Sequence, residues 1–261
     1  MRPRLGFLGV GWIGRHRLEA VVQSDLADVV AVADVANANA VAAAQITPAR
    51  LVSSLDELLE QKLDGIVIAT PSALHAAQAI RALEQGVAVF CQKPLARTAL
   101  ETGRVIEAAR RANCLLGVDL SYRFVEGARH IRNLVRAGEL GQVYAVDLVF
   151  HNAYGPDKPW FYDPALSGGG CVMDLGVHLV DLALWALDFP DVVEVSSSLM
   201  AGGAPLPGRP DRVEDYAVAT LTLAGGVVVR LACSWRLQAG CDAEISAAFY
   251  GTEGGAALKN V

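Results

Sequence analysis

The chain has little lysine: four residues in 261, at positions 62, 93, 158 and 259. Its formal net charge is −6, so it carries no basic excess that would hold nucleic acid or an anionic membrane surface. Cysteine is sparse too. The five cysteines (91, 114, 171, 233 and 241) are odd in number and form no Cys-x-x-Cys pair. That excludes a disulfide framework or a zinc knuckle and leaves small buried hydrophobes of a reducing compartment. No apolar stretch reads as long as the ~20 residues that span a bilayer. The basic start at residues 1–4 runs into an apolar segment broken by glycine, which reads as a first strand and not as a signal peptide. A cytoplasmic protein with neither membrane nor nucleic-acid partner is expected.

What is abundant is core. Hydrophobic residues make up 53% and charged residues 19% of the chain, a composition that folds and has no disordered bias. Short, continuously apolar runs at 5–10, 29–33, 65–69, 87–91 and 115–119 read as buried parallel strands, with 51–52 as a further short one. Amphipathic stretches at 72–85 and 98–113 lie between them as helices. Past residue 120 the rhythm changes. A helix at 125–137 and a strand at 142–152 are followed by an aromatic loop and a second helix at 171–187. Strand-like runs then come at 192–199, 213–223, 227–235 and 243–250, with a hairpin signal at Ala224-Gly225-Gly226. The expected fold is α/β: a doubly wound parallel sheet of Rossmann type over residues 1–120, then over 121–261 an α/β domain with an open, mainly antiparallel sheet. The chain stops soon after a strand and a glycine-rich turn, so the second domain is expected to be incomplete at its C-terminal end.

Gly9-Val10-Gly11-Trp12-Ile13-Gly14 follows the first strand and opens a helix. Glycines in that context allow the tight turn, the close approach of a pyrophosphate and the packing of helix on strand. Asp34 ends the second strand, twenty residues past Gly14, where a carboxylate bonds ribose hydroxyls and repels a 2′-phosphate. NAD is therefore expected over NADP. Thr70, Pro71 and His75 leave the fourth strand, and Gln92 and Lys93 leave the fifth. Ligands of open parallel sheets bind beyond such strand ends, so these residues are expected to line the cofactor crevice.

The second helix is apolar almost all round, yet Asp174, His178 and Asp181 interrupt it at i, i+4 and i+7, on one face. Burying three ionisable groups on one stripe is costly unless they pair or face a polar cavity. A structural Asp–His pair and a pocket wall both satisfy that demand. The spacing also suits two metal ligands, but no third follows from the sequence, and no metal is expected. Oxidising an alcohol needs a base for the hydroxyl proton, a task for histidine with a carboxylate to fix its tautomer. A lysine ammonium stabilises developing alkoxide. Lys93, Asp174 and His178 supply that set. Arg123, Tyr154 and Trp160 are candidate substrate contacts, the last two from a loop whose amphipathic aromatics suit a sugar ring.

With these residues together, over essentially its whole length, the chain resembles the glucose–fructose oxidoreductase, inositol dehydrogenase and rhizopine-catabolism family of NAD(P)-dependent oxidoreductases. The marks are Gly9–Gly14, the segment from Thr70 to His75, Lys93-Pro94, and Gly168-Gly169-Gly170 leading into Asp174 and His178. The resemblance implies a dehydrogenase of sugars, inositols or related polyols, with Lys93, Asp174 and His178 catalytic and a homo-oligomer built through the C-terminal sheet. Gln92 departs from the family's usual glutamate before Lys-Pro. A non-catalytic NAD(P) sensor of the same fold, or a glycosidase acting through transient oxidation, would carry much the same residues. Net formation of NADH separates these from a dehydrogenase.

Overall fold

A computed structural model describes residues 1–260 other than Pro207, Arg209 and Pro210. The chain divides into two units, Met1–Asp119 and Leu120–Val261.

In the first unit the apolar runs become strands, the central β4 buried throughout: β1 (Arg4–Leu8), β2 (Asp28–Ala33), β3 (Arg50–Val52), β4 (Gly65–Ile68), β5 (Ala88–Cys91) and β6 (Leu116–Val118). They pair in the order β3-β2-β1-β4-β5-β6, every neighbour parallel. Helices α1 (Trp12–Ser24), α2 (Asn37–Ala44), α3 (Leu55–Leu59), α4 (Ser72–Glu84) and α5 (Ala99–Ala112) cross between them. Two apolar clusters, one around Ile68, Leu83 and Val105, the other around Phe7, Leu18 and Val32, cover the sheet. The strand order reverses between β1 and β4, the point at which doubly wound sheets open a crevice for ligands.

The second unit holds α6 (Glu126–Arg136), α7 (Pro164–Ser167), α8 (Val177–Ala186) and strands β7 (Val143–Asn152), β8 (Val192–Ala201), β9 (Ala204–Pro205), β10 (Tyr216–Leu223), β11 (Val228–Ser234), β12 (Ala243–Gly251) and β13 (Gly255–Lys259). The sheet order is β13-β12-β7-β11-β10-β8-β9. Its pairs are antiparallel except β7 with β11, which is parallel. Alternation along β7 sends Val146, Leu148 and Phe150 into the core beneath α8. The turn at Gly225 and Gly226 forms with positive φ at both residues.

Three local differences from the sequence pattern have physical causes. Strand β10 begins at Tyr216, not at 213, because Glu214 spends its backbone carbonyl and its carboxylate on residues 170–172. The helix expected at 171–187 starts as a π-helical turn, Val172–Gly176, and becomes α-helical at Val177. Finally, Pro164–Ala186 forms a helical stretch of 23 residues that is long and apolar enough to cross a membrane, half of its most apolar 18-residue part being buried inside the protein. No stretch of that length was expected; the interrupting glycines and aspartates disguise it in the sequence.

Candidate functional site

The cofactor-type features gather at the carboxyl ends of the parallel strands. Gly9 leaves β1 with φ +83°, and a Cβ there would lie 2.6 Å from the Ala69 carbonyl oxygen at the end of β4. A Cβ on Gly14 would stand 2.1 Å from the Gly9 carbonyl. Both glycines are thus demanded by the chain itself. Gly11 is not: a Cβ there would meet only the Asn39 amide, at 3.9 Å, so the middle glycine leaves open space. Gly11 caps α1 in extended conformation with no side chain bonding the first turn. The N–H groups of a first turn lack intrahelical partners, and the helix dipole favours an anion beside them. Open space, undirected N–H groups and a 13-residue helix fit a pyrophosphate, and hence NAD. Trp12 and Ile13 supply backbone to this turn, while the Trp12 ring is largely exposed, 4.7 Å from that of His16.

Asp34 closes the opposite side. Its Oδ2 accepts the Val10 N–H at 2.8 Å, and its Oδ1 accepts the Ala36 N–H at 2.8 Å and the Asn39 amide at 3.3 Å. The carboxylate is therefore fixed over the glycine turn before any ligand arrives. Each oxygen has two lone pairs, and Oδ2 uses one of them here.

At β4 and β5 the expected residues make contacts within the chain. The Thr70 hydroxyl donates to the Gln78 side chain at 2.6 Å, and Pro71 caps α4. His75 is buried, its Nε2 2.7 Å from the Thr70 carbonyl and its Nδ1 2.8 Å from the Pro94 carbonyl. Burial holds this imidazole below the usual histidine range. The ring thus lies between the end of β4 and the Lys93-Pro94 turn and, when neutral, donates to one of the two carbonyls. Lys93 follows β5 and precedes a cis Lys93–Pro94 bond. Gln92, also buried, donates from Nε2 to the Asp119 carboxylate just past β6, and the same carboxylate oxygen receives Arg17 Nε at 2.5 Å. Asp119 and Arg17 went unnoticed in the sequence because nothing in their spacing marks them.

In the second unit the glycine triplet anchors the catalytic-type helix. A Cβ on Gly170 would fall 1.8 Å from the Glu214 carbonyl oxygen. The buried Glu214 carboxylate accepts the N–H groups of Gly170, at 2.9 and 3.0 Å, and of Val172, at 3.0 Å. Glu214 is a further residue that sequence reasoning missed; its lone signal, a charge at the head of an apolar strand, is a weak one. From this anchor the π turn presents Asp174, and His178 follows in α8.

Asp174 Oδ2 accepts the Trp235 indole N–H at 3.1 Å. His178 is buried with its ring 4.9 Å from that of Tyr122. Burial, then the nearby Tyr154 and Asp174, push the Tyr122 phenol up to about 12, so it remains a protonated donor at neutral pH. Tyr122, Tyr154, Asp174, His178 and Trp235 therefore share one neighbourhood. Trp160 stacks on Phe161, ring centroids 3.8 Å apart. Asp181 makes contacts apart from Asp174 and His178. Arg123 holds it through both carboxylate oxygens, Nε at 2.7 Å and Nη2 on the other, with the guanidinium 5.2 Å from the Phe189 ring. This pairing braces Arg123 against α8.

Two family models match the chain: the oxidoreductase family with NAD-binding Rossmann fold over residues 3–120, and the GFO/IDH/MocA C-terminal domain over residues 128–257. The chain is 29% identical over 219 residues to the rhizopine catabolism protein MocA of Rhizobium meliloti, covering 82% of this chain and 66% of that one. It is 28% identical over 262 residues to the 1,5-anhydro-D-fructose reductase of Ensifer adhaerens, covering 99% and 76%. The crystal structure of GenD2 from gentamicin A biosynthesis in complex with NAD superposes with a TM-score of 0.89 at 28% identity, covering 99% of this chain and 72% of that one. The matched stretches span from 53% to 76% of the length of the curated relatives.

Proposed function

Since the chain belongs to the GFO/IDH/MocA family of oxidoreductases, we propose that it oxidises a hydroxyl-bearing carbon of a sugar, inositol or related polyol with NAD, through Lys93, Asp174 and His178. NAD, when bound, supplies the hydride acceptor. Gly9, Gly11, Gly14 and the first turn of α1 hold its pyrophosphate, and Asp34 takes the ribose hydroxyls. The imidazole of His178 removes the hydroxyl proton as the carbon is oxidised. Asp174, held by the Trp235 indole, orients that imidazole. The Lys93 ammonium stabilises charge developing on the substrate oxygen. Thr70, Pro71 and Gln92 shape the cofactor side, with His75 as a brace behind them. Tyr154 and Trp160 face the sugar, and Arg123 acts through Asp181.

The observation that carries this reading is the anchoring of Asp174 and His178. A glycine triplet locked on the buried Glu214 fixes the start of a helix that carries an acid in its π turn and a base in the turn after it; π turns concentrate at functional sites. A fold that only bound NAD would have no use for this second construction. We further infer that the first domain, residues 1–120, binds cofactor, while residues 121–261 bind substrate and assemble a homo-oligomer through the exposed face of the sheet, where Val193, Val195 and Leu199 stand on β8. The setting is cytoplasmic, with a small-molecule substrate and no nucleic-acid or membrane partner. Incubation with NAD and a panel of sugars, inositols and sugar acids tests this: NADH absorbance should rise with at least one of them. The rise should fall by about 10²-fold or more in His178→Ala, whereas undiminished turnover there would refute the assigned base.

A further inference from the structure

The indole of Trp235 has two roles. Its N–H is given to Asp174, and the same residue lines a cavity of about 230 Å³ together with Tyr162, Gly202, Arg212, Asp215 and Arg236. The proposed reacting group thus stands one ring away from a small, charged cavity. Ligand sites that enclose a whole drug-sized molecule run to roughly 300–1,000 Å³, so this cavity accommodates a substituent.

The charges in it do not balance. It has two guanidinium groups and one carboxylate, and that carboxylate, Asp215, already accepts the Gly202 N–H at 2.8 Å. Elsewhere in the unit Arg123 pairs with Asp181, Arg132 and Arg136 with Asp188, and Arg230 with Asp147, while Arg129 pairs with no acid among the described residues. Among the described residues, Arg212 and Arg236 ion-pair with none.

Arg236 is also held in place. Its backbone is left-handed, φ +59°, a region that a residue with a side chain occupies only when its surroundings impose it. Its N–H reaches the Tyr154 carbonyl at 3.2 Å, and its Nη2 reaches the Tyr162 hydroxyl at 3.1 Å, with the guanidinium 5.2 Å from that ring. One of five side-chain N–H donors is used there, and the planar fork that remains matches carboxylate or phosphate oxygens.

We propose that this cavity receives an anionic substituent, a carboxylate or a phosphate ester, on the same molecule whose hydroxyl is oxidised beside Asp174 and His178. This rests on the dehydrogenase reading above and narrows its substrates to anionic sugars or polyols.

The test compares D-glucose, D-glucuronate and D-glucose 6-phosphate with NAD, in wild type, Arg212→Ala, Arg236→Ala, Arg236→Lys and the double alanine variant. At least one acid should exceed glucose in kcat/KM by about tenfold, and the two acids separate a carboxylate site from a phosphate site. That selectivity should collapse toward one in the double variant, through KM, and Arg236→Lys should retain part of it. Glucose turned over as well as both acids, or a double variant that keeps the preference, would overturn the proposal. If none of the three yields NADH, the oxidised sugar or polyol lies outside this panel and turnover does not read the cavity. Calorimetric titration of glucuronate and glucose 6-phosphate then decides the cavity by itself. Binding lost in the double variant upholds it, and binding absent or unchanged refutes it.

Discussion

The side-chain amide of Gln92 donates to the carboxylate of Asp119, joining the ends of β5 and β6 directly beside Lys93. Both residues are buried, and Arg17 completes the group at 2.5 Å. A negative charge thus stands one hydrogen bond from the residue before Lys93-Pro94, on Asp119. Installing glutamate at 92 in this chain sets two buried carboxylates against each other. Gln92→Glu should lose about 1–3 kcal/mol of stability at neutral pH. The second carboxylate's folded-state pKa would be raised, so the loss is full above the ordinary carboxylate range and shrinks as pH falls. The exchanged pair Gln92→Glu with Asp119→Asn should recover most of it, as a double-mutant cycle in urea would read.

Gly11 and Gly170 should fail in different ways. Gly170→Ala drives a Cβ to 1.8 Å from the Glu214 carbonyl oxygen and should destabilise the second unit by about 3 kcal/mol or more. Gly11→Ala meets nothing nearer than 3.9 Å. Its melting temperature without ligand should hold, while its NAD affinity drops about tenfold or more, measured by calorimetry.

Asp34→Asn keeps an acceptor for Val10 and removes the charge. The ratio of kcat/KM for NAD over NADP should fall by about tenfold or more, because the repulsion of a 2′-phosphate goes with the carboxylate.

His75 predicts an acid limit. Burial lowers its folded-state pKa, so the unfolded chain takes up the proton first as pH falls. The His75 contribution is complete above the unfolded value of about 6.5 and is lost as pH drops through the lower folded value. Wild type should lose stability between pH 7.5 and 5 in urea titrations, and His75→Gln should show a shallower loss from a lower starting point.

The sequence made the parallel sheet legible because buried parallel strands are continuously apolar, and the glycine turn legible because the three glycines are spaced within six residues between a strand and a helix. Asp174 and His178 were visible as charges in an apolar helix. Pairings between distant segments were not visible. Nothing near Arg123 announces Asp181, 58 residues away, and nothing near Gly170 announces Glu214, 44 residues away. Nor does anything near His75 announce its neighbour at Pro94, 19 residues away. The π turn was hidden because a hydrophobic pattern does not distinguish it from one more turn of α-helix.

The most direct test counts NADH formed per molecule of substrate consumed, using a substrate that the panel identifies. The account expects one NADH for each oxidised product, lost together with product in His178→Ala. Product appearing with no net NADH would mean transient oxidation, and tight NADH binding with no product on any substrate would mean a sensor; either contradicts it.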